Sequence, residues 1–216
     1  MSIASDTIII ATGNKGKLKE FELAFAALGK RVLSMKDYPN IPDVVEDGAT
    51  FYDNALKKAR TVAQVLQLPV LADDSGLCVD RLNGAPGVYS ARYAGEHGND
   101  AANNAKLVAT LQQLPAWDGA AQLSARADLG APLSAAQFVC SLVLYDPATD
   151  RIHAAEGTAD GAIIEHAHGE YGFGYDPYFY VPDYDLTMAE LPPEKKQLIS
   201  HRGAALRKLI AQLQQA

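Results

Sequence analysis

Three β-branched residues, Ile8, Ile9 and Ile10, stand together early in the chain and run into Thr12-Gly13-Asn14. A short, unbroken apolar run closed by turn residues predicts a buried strand. The period then changes. Leu18, Phe21, Phe25 and Leu28 recur at helical spacing, so a helix is expected over residues 15–28, with Gly29 as its C-terminal stop. Residues 31–34 read as a second short strand, and residues 37–48, with Pro39 and Pro42, as a loop. Thr50 is placed to cap a helix reaching about residue 68, because Phe51, Ala55, Ala59, Val62 and Leu66 share one face. A strand over residues 70–72 follows and, on this reading, ends at Asp73-Asp74-Ser75-Gly76.

Asn83-Gly84-Ala85-Pro86-Gly87 is turn material, and residues 100–114 carry a third helical pattern. Residues 115–135 are rich in Ala, Gly, Ser and Leu without periodicity, and read as a surface excursion or a poorly ordered insertion within a single domain. Residues 137–145 and 152–159 flank Asp146-Pro147-Ala148-Thr149-Asp150, the pattern of a hairpin. A last helix over residues 202–215 turns Leu206, Leu209, Ile210 and Leu213 inward. β-α-β units early and a hairpin late predict an α/β fold on a mixed sheet rather than a purely parallel one.

The 216 residues are 48% hydrophobic and 21% charged, which suits one sizeable folded domain and excludes a mainly disordered chain. The net charge of −7 argues against a non-specific nucleic-acid binder, which needs a basic face, but leaves room for a small anion held by a local Lys/Arg cluster. Cys78 and Cys140 stand far apart in apolar contexts with no Cys-x-x-Cys pair, so we expect buried thiols in a reducing cytoplasm rather than a zinc site or disulfides. The first ten residues lack the pattern of a secretory signal, and no apolar run approaches the length of a membrane span.

Five segments carry possible chemistry. Thr12-Gly13-Asn14-Lys15-Gly16-Lys17 joins a strand to a helix. Helix N-termini favour anions, and lysines 15, 17 and 19 crowd the first turn against the dipole, a conflict that a phosphate would relieve. The segment is not a P-loop, since its spacing is too short and Leu18 stands where a magnesium-binding Ser or Thr belongs. A solvated lysine face after a capped turn explains it equally well. Asp73-Asp74-Ser75-Gly76 is the second. Neighbouring strand residues point to opposite faces, so the two acids should not share a role. One could bind Mg²⁺ or accept a proton from water, and Ser75 could bond a phosphate. Alone, however, the four residues are ordinary turn chemistry. Glu46-Asp47-Gly48, before the capped helix, reads first as decoration of the helix dipole and second as a source of a metal ligand.

Aromatic residues are 8% of the chain, yet seven fall between Tyr171 and Tyr184. Within that stretch, the glycines on either side of Phe173 allow close backbone approach, and an aromatic face suits a stacked base. An aromatic strand in the core accounts for Tyr178 to Tyr180 but less well for Gly172-Phe173-Gly174. The fifth segment sets Lys195-Lys196 before Ser200-His201-Arg202-Gly203, where capping by Ser200 and donation to base oxygens are both open. His97, His153, His166 and His168 show no ligand pattern.

The order of these segments says more than any one of them. Thr-Gly-Asn-x-x-Lys, Glu-x-Gly-x-Thr-Phe-x-x-Asn-Ala, Ala-Asp-Asp-Ser-Gly-Leu, Gly-Ala-Pro-Gly-Val-Tyr-Ser-Ala-Arg-Tyr, Phe-Gly-Tyr-Asp-Pro and Ser-His-Arg follow one another along the chain. The set resembles the inosine/xanthosine triphosphate pyrophosphatase family from about residue 8 to residue 209, apart from residues 115–135. The resemblance implies an elongated mixed β-sheet with flanking helices, two lobes around a central substrate cleft, a homodimer and dependence on Mg²⁺. It also implies hydrolysis of ITP, dITP and XTP to the monophosphate and pyrophosphate. By the same resemblance Thr12, Gly13, Asn14, Lys15, Gly16 and Lys17 bind the triphosphate and Lys58 reaches phosphate. Asp74 is the proton acceptor and, with Glu46, a metal ligand, although Val45 stands next to the aligned position. Ser75 touches substrate, and Phe173, Gly174, Tyr175, Asp176, Lys196, His201 and Arg202 form the base pocket. The alternatives are a Maf-type pyrophosphatase acting on pyrimidine triphosphates, a non-catalytic nucleotide sensor and a metal-dependent phosphatase of broad specificity.

Overall fold

The computed structural model describes residues 7–26, 29–38, 40–123 and 125–215, without the side chains of residues 15 and 23. The β-branched run forms β1 (Thr7–Ala11), and α1 (Lys15–Ala26) follows at once. The Asn14 side chain starts that helix by accepting the Gly16 and Lys17 N–H groups at 2.8 and 3.1 Å. Gly29 stops it at φ 65°, where its N–H and that of Lys30 return to the Ala26 and Phe25 carbonyls. The outer part of the expected helix, residues 27 and 28, lies outside the described residues.

Strands β2 (Arg31–Ser34) and β3 (Val70–Val79) both pair in parallel with β1. Between them runs α2 (Phe51–Leu66), capped by the Thr50 hydroxyl, which accepts the Asp53 N–H. After α3 (Asp100–Gln112) come the long strands β4 (Pro132–Asp146) and β5 (Arg151–Ile164), joined by a turn at residues 147–150. The short β6 (Phe179–Val181) and β7 (Leu186–Thr187) pair antiparallel, and α4 (Pro193–Ile199) and α5 (His201–Gln215) close the chain. The seven strands lie in the order β2-β1-β3-β4-β5-β6-β7. Parallel pairs at one end and antiparallel pairs at the other make the sheet mixed, as the order of predicted elements requires.

The chain divides into two compact units. The first holds the chain up to Asp74, Cys140–Gly157 and α5. β1 and the start of β3 are apolar on both faces. Ile8, Ile10 and Leu71 pack with Phe21 and Phe25 of α1 and with Leu206 and Leu209 of α5. On the other face Ile9, Val70 and Ala72 pack with Ala55, Ala59 and Val62 of α2. The second unit holds Ser75–Val139 and Thr158–Ser200. Its core gathers Leu77, Val79, Phe138, Ile163 and Phe179 around Leu107 and Leu111 of α3, with the rings of Phe138 and Phe179 centred 4.4 Å apart. Among the described residues no helix is long and apolar enough to cross a membrane.

One expectation is corrected. β3 does not end at the acid pair but runs on to Val79, so Asp73, Asp74, Ser75 and Gly76 sit inside a strand. The described part of residues 115–135 lies in the second unit, mostly at its surface. Leu129 is fully buried with Ile164 and Tyr180, Arg126 donates to Glu190 at 2.8 Å, and residues 132–135 already belong to β4.

Candidate active site

Strand alternation assigns the two acids to opposite faces of β3. Asp73 shares parity with Leu71, whose face is covered by α1 and α5; Asp74 shares parity with Ala72, whose face is covered by α2. The contacts follow that rule. Asp73 is 1% exposed, and its carboxylate takes the Lys17 ammonium from α1, the Arg202 guanidinium from α5 at 3.1 Å and the Cys140 thiol at 3.3 Å. Arg202 is equally buried and also donates to Glu20 of α1 at 2.7 Å. Burial alone would push the Asp73 carboxyl up, but Arg202, Lys17 and Lys58 outweigh it and hold it far below the usual carboxylate range. Burial, with Asp73 beside it, pushes the Cys140 thiol well up, so this cysteine is a neutral donor and not a nucleophile.

Asp74 meets a different environment. Asn54 donates to its Oδ2 at 3.0 Å, and the Lys58 ammonium lies 3.5 Å from Oδ1. Asn54 and Lys58 are one helical turn apart on α2, so both side chains leave the same face. Lys58 also donates to the Asp73 carbonyl and to Glu46 Oε1 at 3.3 Å. Burial and the Glu46 carboxylate push the Asp74 carboxyl up to about 6, against the pull of Lys58 and Asn54. Two adjacent carboxyls are thus driven in opposite directions. One is locked as a counter-ion, and the other is held near neutrality with high proton affinity.

Glu46 and its neighbour meet different surroundings. Glu46 is half-buried and reaches Lys58, whereas Val45 is 68% exposed. Among the described residues no group of three or more His, Cys, Asp or Glu gathers as a metal cluster. The pair Glu46 and Asp74 still fits Mg²⁺, a hard cation that takes one or two carboxylates and completes its shell with water and phosphate oxygens. Both acids converge on one ammonium, which marks the place as one that attracts positive charge.

The first loop is anchored rather than loose. Thr12 Oγ1 accepts the Asn14 N–H at 3.1 Å, and Lys36, which the sequence did not single out, donates to the Gly13 carbonyl at 2.9 Å. Gly16 opens α1 beside them, while the Lys15 side chain lies outside the described structure. The Lys17 charge that opposes the helix dipole is answered by Asp73. Lys17→Ala should therefore lower stability by about 1–3 kcal/mol, the range for a charge-assisted hydrogen bond, rather than leave it unchanged. Urea unfolding of the variant checks this.

In the second unit Ser75 follows Asp74 directly on β3. Phe173, Gly174, Tyr175, Asp176 and Lys196 come together there. Asp176 Oδ2 accepts the Phe173 N–H at 2.8 Å and the Lys196 ammonium at 2.6 Å. Lys196 also lies 5.0 Å from the centre of the Phe173 ring. Gly172 is at φ 85°, and a Cβ there would meet Asp176 Oδ2 at 2.2 Å, so the turn requires glycine. Helix α3 holds the next peptide from both sides. The Gly174 N–H donates to Asp100 Oδ2 and its carbonyl accepts from Asn104, each at 2.8 Å. The Tyr175 hydroxyl donates to the Ser90 carbonyl at 2.8 Å. His201 and Arg202, grouped with these residues by the resemblance, belong to α5 and the first unit, where Arg202 holds Asp73 and Glu20.

Sequence reasoning held Asn54 within the Glu-x-Gly-x-Thr-Phe-x-x-Asn-Ala segment but gave it no role, and it passed over the counter-ion role of Asp73 and the support that Asp100 and Asn104 give to Gly174. The spacing of Asn54 and Lys58 was a further signal, because two polar residues four apart interrupt the apolar face of α2.

Comparison with known proteins gives the family. Residues 8–212 match the model of the Ham1 family. A dITP/XTP pyrophosphatase of Desulforamulus reducens is 48% identical over 201 residues, covering 93% of this chain and 92% of that protein. One from Geobacillus kaustophilus is 48% identical over 202 residues, covering 94% and 91%. Among solved structures, the Ham1 protein of Staphylococcus aureus superposes with a TM-score of 0.79 at 40% identity, covering 97% of this chain and 98% of that one. A HAM1 protein of Coxiella burnetii gives 0.80 at 38%, covering 97% and 99%.

Proposed function

We infer the activity from ancestry and site together: the chain belongs to the Ham1 family, and it hydrolyses deaminated purine nucleoside triphosphates to the monophosphate and pyrophosphate. The observation that carries the chemistry is Asp74, a buried carboxylate pushed up to about 6 beside Lys58 and Glu46. A base works best when its proton affinity lies near the operating pH. Asp74 orients the attacking water at the α-phosphorus and takes its proton. Lys58 places positive charge beside it.

Glu46 and Asp74 would hold Mg²⁺, which when bound neutralises phosphate oxygens and the leaving pyrophosphate. The loop of Thr12, Gly13, Asn14, Lys15, Gly16 and Lys17 receives the triphosphate at the start of α1. Ser75 contacts the substrate. Phe173 offers a ring to the base, and Lys196 beside it is a donor suited to a 6-oxo group. An adenine amino group would meet that donor with another donor, which leaves polar groups unsatisfied at about 1–3 kcal/mol each. We place the enzyme in the cytoplasm as a homodimer, with no nucleic-acid or membrane partner.

Products distinguish this reading from a general phosphatase. ITP should give IMP and pyrophosphate by phosphorus NMR, and reaction in oxygen-18 water should label IMP. Release of orthophosphate, or label in the pyrophosphate, would overturn it. Lys196→Gln should lower kcat/KM for ITP more than for ATP and so narrow the ratio between them. Equal proportional losses would limit Lys196 to holding Asp176.

A further inference from the structure

Asn54 is completely buried in the first turns of α2, and both ends of its amide are used. Its Oδ1 accepts the Gly48 N–H at 2.7 Å, and its Nδ2 donates to Asp74 Oδ2 at 3.0 Å. The direction of the amide is fixed by its partners, since a backbone N–H can only donate and an ionised carboxylate can only accept. Gly48 lies two residues beyond Glu46, and a Cβ at Gly48 would stand 2.7 Å from Asn54 Oδ1. One side chain thus ties the loop carrying Glu46 to the carboxylate of Asp74. It engages Oδ2 and leaves Oδ1 turned toward Lys58, which also meets Glu46.

We propose that Asn54 is a positioning residue for the hydrolytic step, fixing the rotation of the Asp74 carboxylate and the approach of Glu46 so that both acids face one point. The proposal rests on the reading of Asp74 as the base. Aspartate at position 54 would keep the bond to Gly48 but set a carboxylate against Asp74. Serine would be too short to hold both ends. Groups that orient a ligand or a base are typically worth about 10–100-fold in affinity or activity.

The test uses the full chain as Asn54→Ser, Asn54→Asp, Asp74→Asn and the Asn54→Ser/Asp74→Asn double variant. Thermal unfolding, ITP kinetics at saturating Mg²⁺, and calorimetric binding of Mn²⁺ without nucleotide are measured. Both Asn54 variants should lose about 10–100-fold in kcat while KM for ITP moves less than about threefold, and Mn²⁺ should bind more weakly to Asn54→Ser. In the Asp74→Asn background, Asn54→Ser should cost at least about threefold less in kcat than in the parent, because one of the two acids it positions is already lost. A purely structural residue would cost the same factor in both backgrounds. That result overturns the proposal, as does near-parental kcat in either Asn54 variant when folded. Asn54→Asp preserves side-chain volume and the Gly48 bond, so it carries the test if Asn54→Ser does not fold. Parental turnover in Asp74→Asn would instead overturn the reading of Asp74 itself. A crippled Asp74→Asn beside fully active Asn54 variants would overturn only the role of Asn54.

Discussion

Asp74→Asn should fold like the parent chain, lose about 10²–10⁴ in kcat and unfold at an equal or higher temperature. The two effects have one cause. Burial and Glu46 push the Asp74 carboxyl up to about 6 from its ordinary 3.8. The folded state therefore holds that proton more tightly than the unfolded chain does, and the contribution of Asp74 to stability falls as pH rises from about 4 to about 6. At neutral pH the parent carries this buried charge at a cost to its fold. Asparagine keeps the shape and can still accept from Lys58 or from Asn54, though not from both, while removing the charge, the proton acceptor and one metal ligand. The parent's kcat/KM should rise with pH through about 6 as Asp74 ionises, and the variant should lack that limb. Near-parental turnover at saturating Mg²⁺ would remove Asp74 from the mechanism. A clear drop in melting temperature would show that its charge supports the fold instead.

The acid pair also shows how far the sequence could be read. Opposite roles for Asp73 and Asp74 follow from strand alternation alone, and the structure places them on opposite faces. The strand's length was hidden, because Asp, Ser and Gly read locally as a turn. They stay in β3 because each charge is met by a cation or amide from a helix distant in sequence, and local patterns carry no trace of that. The partner of Lys17 was hidden for the same reason. Lys17 conflicts with its own helix dipole, and its partner lies 56 residues away. Glu46 was chosen from an alignment loose by one residue beside Val45, in a loop without periodicity, and its contact with Lys58 could not be read there. The aromatic and glycine pattern of residues 171–179 marked a special turn, but what holds it, Asp100 and Asn104, comes from a helix that looked merely structural. The sparse apolar residues of 115–135 gave no period, since this segment attaches through Leu129 and the ion pairs of Arg126 rather than through a helical face.

Asp73→Asn should cost about 3–5 kcal/mol, the scale on which removing one member of a buried ion group strands its partners. Arg202 and Asp73 are each 1% exposed, so water does little to replace the lost charge. Glu20 remains for Arg202, while Lys17 loses the acid that answers it. Asparagine can still accept one bond, so the loss is chiefly electrostatic and should show a particular pH dependence. The cations hold the Asp73 carboxyl far below its ordinary 3.8, so its contribution is fully present above about 4 and declines as pH falls toward its folded value. Parent and variant should therefore differ by a constant amount from pH 5 to 8 and converge below about 4, as urea unfolding across pH would show. Because α1 and α5 meet at this carboxylate, Lys17→Ala should add little in the Asp73→Asn background. A loss below about 1 kcal/mol, the scale of an exposed ion pair, or full additivity of the two substitutions, would mean that Asp73 does not join these helices.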